Sequence, residues 1–447
     1  MYKKDFISFL FILSFPVYGF GSFVSASTPS IGFMISVSVH LVIILFYCID
    51  ILYKNEVSMR VNWLYGLTVL FLLSSVASLF IAFYNGLPET TLRLVITKSI
   101  LILTPLHSFI IVSFYSKDGL TRLLLIGLSV LLAINMVGYF GIGLANETHS
   151  IEGRVNFPFL DSFYSGAGLV AIINLILIYY LRNGWSNAIR FSLLAAYFVV
   201  NSALLYYINS RLAILSFMIV ILMAVFGVVR ARGVFLVSMF LIPILLSSGV
   251  LIYQVLQQTG LENILQRMSA EDVHTFNGRA YIWQDALDWL LYDQRGLLFG
   301  NGYKGHYFLD MLPDVVKLWD VKEGYYLHLH STSLEILVSQ GVIFYIIYCY
   351  VFYRVYIYFK NKHREGTEEG ALFPVVVFLL LMMQIDTFLY MDNLGAVLLA
   401  MLVAKATLVK KVKSKSAIRV EERPAKIVRY HPLEKTQVYG LCSDSRS

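Results

Sequence analysis

Charge is what this chain has least of. Only 14% of its 447 residues are Asp, Glu, Lys or Arg, whereas 58% are hydrophobic. A water-soluble protein of that size needs far more polar surface, so a soluble globular fold is excluded. Cysteine is nearly absent. Cys48 and Cys349 fall inside apolar runs and Cys442 lies near the C-terminus, which leaves no pattern for a disulfide framework or a zinc site. A phosphate-binding P-loop is missing too. Gly300-Asn301-Gly302-Tyr303-Lys304-Gly305 is turn-rich, but its spacing is wrong and no strand of a βα unit precedes it. No basic–aromatic stripe or nucleic-acid motif occupies a soluble segment, so the net charge of +7 does not point to nucleic acid.

What the chain has instead is apolar sequence in runs of about 20 residues, each long enough to cross a hydrocarbon core. They are read at 6–24, 31–53, 63–84, 92–115, 121–144, 163–181, 189–208, 211–229, 233–256, 331–359, 372–390 and 393–409. The prediction is an all-α, polytopic membrane helix bundle with about 12 transmembrane helices. The first run follows Lys3 and Lys4 like a signal peptide but lacks a small-x-small cleavage site, so it is read as a signal-anchor.

The basic residues fall on alternate connections. With the N-terminus in the cytoplasm, inner loops carry Lys54 and Arg60, Lys117 and Arg122, Arg182 and Arg190, Arg230 and Arg232, and Lys360, Lys362 and Arg364. The short outer connections 25–30 and 85–91 carry none. This is the positive-inside pattern, and it puts both termini in the cytoplasm. Residues 1–409 are then the transmembrane bundle, and 410–447 a basic cytoplasmic tail, either held at the anionic inner leaflet or disordered. Outside remain the loop 145–162 and a large periplasmic-type loop, 257–330. In the latter, 278–293 predicts an amphipathic helix with Trp283 and Trp289 suited to the membrane interface.

Ionisable groups at the outer helix ends carry the functional reading. A charge well inside the bilayer costs at least about 2.5 kcal/mol without a partner or a wet cavity. Arg93 can snorkel, but Lys98 sits more than a turn deeper, and either faces a functional cavity or pairs structurally. Arg211 lies at an outer turn against the inside bias, which favours a functional role. Asp386 and Asp392 are read as pairing with a nearby arginine. The densest stretch is Tyr325-Tyr326-Leu327-His328-Leu329-His330-Ser331, with Glu335 one turn later. A histidine there can take a proton near neutral pH. Two histidines and one distant carboxylate are a weak ligand set, so no metal is expected. Collected on one face, Arg154, Arg211, Arg279 and the histidines make a cationic outer pocket, whose guanidinium forks suit the phosphate of a lipid.

Short patches along residues 150–350 resemble, in order, the O-antigen ligase and polymerase superfamily. Arg154-Val155-Asn156-Phe157-Pro158-Phe159 resembles its arginine-bearing outer loop, and Ser210-Arg211 its Ser-Arg at a helix start. Gly278-Arg279 with Trp283, then Gly300-Asn301-Gly302, resembles the paired motifs of its large loop. His330-Ser331, Leu334-Glu335 and Gly341-Val342-Ile343 resemble the signature entering the next span, with Ser331 where the family commonly has Asn.

The resemblance implies a GT-C-like bundle and a metal-independent glycosyltransferase without cofactor. Its donor would be an undecaprenyl-pyrophosphate-linked oligosaccharide. His330 would be general base on the acceptor hydroxyl, while Arg211, Arg279 and Arg154 would hold the pyrophosphate. From their own positions in the sequence, and not from the resemblance, His328, Lys98 and Glu335 are read as accessory. The resemblance further implies the bacterial inner membrane, contact with membrane lipid and with a chain-length regulator, and no nucleic-acid partner. Polymerase is the reading taken, with ligase to lipid A core the alternative. A flippase would place ionisable groups near the midplane and show related halves, neither of which this sequence has.

Overall fold

The computed structural model describes residues 3–54, 59–116, 119–144, 155–183, 187–226, 233–241, 279–318 and 320–409. The basic tail after Val409 lies outside the described residues, as does much of the ninth expected span. Helices account for nearly all regular structure among the described residues, which form no sheet, only an isolated bridge between Val61 and Leu408.

Eight of these helices are long and apolar enough to cross a membrane. They are α1 (Lys3–Ser25), α2 (Pro29–Lys54), α3 (Trp63–Tyr84), α4 (Leu92–Tyr115), α5 (Leu120–Met136, prolonged by a wide turn to Gly141), α6 (Phe163–Asn183), α7 (Ala188–Ile208) and α13 (Thr332–Arg364). The apolar α8 (Arg211–Val225), α14 (Leu372–Ile385) and α15 (Leu394–Thr407) are shorter, and α9 (Gly233–Leu236) opens the span that leaves the described residues. The chain is an all-α, multi-pass membrane protein. Several helices start where the sequence places a polar residue before an apolar run. Asn62 accepts from the Leu64 amide at 3.0 Å, and Asn187 from that of Arg190 at 3.0 Å, so side chains satisfy amides that have no helical partner. Burial ranks the helices: α4 and α6 are largely enclosed, whereas α7 is mostly uncovered and left for lipid.

The hairpin of α14 and α15 departs from expectation. Each helix has 14 residues, about 21 Å at the usual rise, against roughly 30 Å of hydrocarbon. At the end away from the 386–393 turn, Lys405 pairs with Glu369 at 2.8 Å. A hairpin of helices that short leaves its irregular connection 386–393 at membrane depth. Irregular backbone at that depth must be enclosed by protein, and here it is: the Asp386 carbonyl accepts from both the amide and the hydroxyl of Thr332, at 3.0 and 2.9 Å.

The described part of the large loop folds as a small unit of its own. It contains α10 (Arg279–Asp288), α11 (Gly305–Phe308) and α12 (Pro313–Leu318). Ile282, Trp283, Trp289, Leu309, Leu312, Leu327 and Leu329 form its buried core together with Val338 of α13. The two tryptophans are thus not interfacial anchors. They are 4% and 3% exposed, and their indole N–H groups donate to the carbonyls of Leu329 and Arg295.

The glycine motifs lock this unit to the bundle. Gly341 breaks α13 with φ +83°, which frees carbonyls and amides on either side of the kink. The loop takes them up. The Asn301 and Gly302 amides donate to Val338 and Ser339, and the Val342 amide donates to Leu297 at 2.8 Å. A Cβ on Gly300 would meet the Ser339 carbonyl oxygen at 2.2 Å, and one on Gly341 the Leu298 oxygen at 2.4 Å. The two glycine-bearing patches are therefore two sides of one backbone joint.

Candidate functional site

The site is built where the large loop turns into α13. Ser331 caps α13, its hydroxyl accepting from the Leu334 amide, so the helix starts immediately after the His-Leu-His run. Glu335, 2% exposed in the first turn, reaches back and accepts from the Leu329 amide at 2.7 Å. Trp283 of α10 donates to the Leu329 carbonyl at 3.2 Å. Both backbone polar groups of the residue between the histidines are thus held, and Leu329 itself is fully buried.

On either side of that anchor, His328 and His330 turn toward each other, with ring centroids 4.0 Å apart, and both stay partly exposed. His330 has φ +47°, the left-handed region that a residue with a side chain rarely enters. The Asp386 carboxylate joins them: one donor atom each from His328, His330 and Asp386 lie within 4.8 Å of one another. That arrangement can hold a proton and stabilise an imidazolium by a neighbouring carboxylate. Two imidazoles and a carboxylate are also a donor set that can take a divalent cation.

The sequence-predicted residues divide as follows. His330, His328 and Glu335 come together at the head of α13. Arg279 opens α10, one helical turn before the Trp283 that touches this same turn. Arg211 is exposed at the start of α8. Helix α8, which Arg211 opens, packs along α14, which ends just before Asp386. Arg154 lies outside the described residues, but its neighbour Val155 donates to the Tyr207 carbonyl at 3.5 Å, beside the Ser210-Arg211 turn.

Lys98 is paired. Its ammonium lies 2.9 Å from Asp392 and 3.2 Å from the Tyr303 hydroxyl, over the Tyr303 ring. The partner of Asp392 is therefore a lysine, not an arginine as expected. The reason is that Tyr303 follows the glycine joint directly and is carried down between α3 and α4, closing over the pair.

Sequence reasoning did not connect Asp386 to the histidines. The signal that could have done so is the shortness of the apolar run before it, which ends in a turn bonded to Thr332 at the head of α13. The network beneath Tyr325 was also missed. Glu89 accepts from the Tyr325 and Tyr326 hydroxyls at 2.9 and 3.0 Å, and the Lys304 ammonium donates to the Tyr325 carbonyl. His306 is wholly enclosed there, with its Nε2 at 3.3 Å from the Gly324 carbonyl. Burial first, and the Lys304 charge second, push its pKa down to about 4.

Residues 196–349 match the O-Antigen ligase family, whose members are glycosyl-transferring enzymes. No curated protein matches the chain. The matched stretch runs from the middle of α7 through Arg211, α10, the glycine joint and the His-Leu-His turn to the middle of α13. Within it, Trp283 of α10, the glycine joint and the His-Leu-His turn pack against the first half of α13. That match, over residues 196–349, supports the O-antigen ligase/polymerase superfamily.

Proposed function

We propose that this protein is an envelope-polysaccharide polymerase that joins undecaprenyl-pyrophosphate-linked repeat units at the periplasmic face of the bacterial inner membrane. Both termini are cytoplasmic in this reading, and a chain-length regulator is a partner. His330 is the general base that takes the proton from the acceptor sugar hydroxyl. The hydroxyl oxygen then bonds to the donor's anomeric carbon as the bond to the lipid pyrophosphate breaks. Arg211, Arg279 and Arg154 hold that pyrophosphate and neutralise the charge growing on it as it leaves. Lipid pyrophosphate needs no nucleotide to be a leaving group, and the reaction is metal-independent in this account.

The observation that carries the reading is the convergence of His328, His330 and Asp386 at the head of α13, on a turn whose middle residue is clamped from two elements. A base can be efficient only when it is held within reach of its proton. The alternative, a ligase that passes finished glycan to lipid A core, uses the same chemistry with another acceptor. The glycan profile of a deletion strain separates the two. Single repeats on lipid A core indicate a lost polymerase. Long chains left on the carrier lipid indicate a lost ligase and would overturn the assignment.

A further inference from the structure

We propose that Glu335 is a positioning residue for the His330 imidazole, acting through the backbone of Leu329. This inference rests on the reading of His330 as general base and adds what holds that base in place.

His330 is bracketed. On one side, Leu329 gives its amide to Glu335 and its carbonyl to Trp283, at 2.7 and 3.2 Å. On the other, Thr332 gives its amide and hydroxyl to the Asp386 carbonyl. Between them His330 sits at φ +47°, a conformation that costs an L-residue about 1 kcal/mol or more and persists only when the surroundings impose it. The Glu335 bond runs from a side-chain carboxyl oxygen to the backbone N–H, in an almost fully buried place. Its other oxygen, Oε2, has no hydrogen-bond partner among the described residues. The carboxyl group therefore spends its hydrogen bonding on the turn and does not reach out to a substrate. Without it, the Leu329 amide is orphaned and the histidine is free to relax from the left-handed conformation.

The test compares Glu335→Ala and Glu335→Gln, in the full chain in liposomes, with lipid-linked repeat unit extracted from the deletion strain as substrate and rates normalised to folded protein. A misplacement of about 1 Å costs roughly 10²-fold in rate. Glu335→Ala is expected to lower kcat by about that factor with KM unchanged. The acid limb of its pH–rate profile keeps its midpoint, because the base is the same imidazole. Glu335→Gln keeps an oxygen facing the Leu329 amide and restores most of kcat. Should Glu335→Ala not reach the membrane, Trp283→Phe removes the other bond to Leu329 and is expected to lower kcat in the same way.

Wild-type kcat in Glu335→Ala, or in Trp283→Phe where that variant stands in, would overturn the proposal. So would a Glu335→Gln variant as inactive as Glu335→Ala, because a charge rather than an acceptor would then be needed. His330→Ala assayed alongside separates the two levels. Activity in that variant removes the base assignment, whereas an inactive His330→Ala with a normal Glu335→Ala removes only the positioning role.

Discussion

At the scale of single residues, the sequence marks where charge violates membrane logic but not what each charge meets. Arg211 and Lys98 stand out equally as outward cations. The fold leaves Arg211 exposed at a helix start and binds Lys98 to Asp392, with side chains 11% and 18% exposed. Which of the two pairs depends on residues nearly 300 positions away, and no local pattern encodes that. Removing one partner of a mostly buried ion pair leaves the other uncompensated, at about 3 kcal/mol or more. Lys98→Met is therefore expected to lower the thermal stability of the detergent-solubilised protein, and Lys98→Met with Asp392→Asn to recover much of it. A Lys98→Met variant as stable as wild type would show that the pair contributes nothing.

At the scale of elements, apolar run length gave helix positions well, because crossing hydrocarbon is a stringent demand and polar caps mark its limits. Trp63–Tyr84 and Leu92–Tyr115 start and stop where the runs do. The joint between the large loop and α13 was legible only as two separate glycine patches. Their common purpose is a backbone fit that becomes visible once the chain is folded. Gly341→Ala puts a methyl into the Leu298 carbonyl and forbids φ +83°, a strain of about 1–3 kcal/mol before any clash. It is expected to detach the loop, read as faster amide exchange over 297–305. Unchanged exchange there would contradict the joint.

The same loop carries a pH dependence through His306. Its folded pKa, about 4, lies below the ordinary 6.5, so the unfolded chain binds the proton more readily between those values. Stability is fully present above about pH 6.5 and is lost progressively as pH falls toward 4, by roughly 3 kcal/mol in all. Thermal unfolding followed across that range should show the loss in wild type and flatten in His306→Gln. A wild-type curve without that slope would contradict the buried, neutral histidine.

At the scale of the whole molecule, hydropathy and the distribution of Lys and Arg were enough for a multi-pass bundle. Ordered motifs were enough for the superfamily that the match over residues 196–349 then supported. What no periodicity could supply is the site itself. It needs α10, the head of α13 and the α14–α15 turn packed together. It also adds Asp386 to the two histidines, a grouping able to hold either a proton or a cation. Chain growth by the reconstituted protein is expected to continue unchanged in excess chelator, and its loss, restored by a divalent cation, would replace the proton-transfer account.

The most direct measurement is elongation of lipid-linked repeat units by purified protein in liposomes, wild type against His330→Ala, each normalised to folded protein. General-base catalysis contributes about 10²–10⁴-fold. A folded His330→Ala protein that extends chains slower by at least the lower of these factors is the result the account predicts. Chain growth at the wild-type rate in that variant would contradict it.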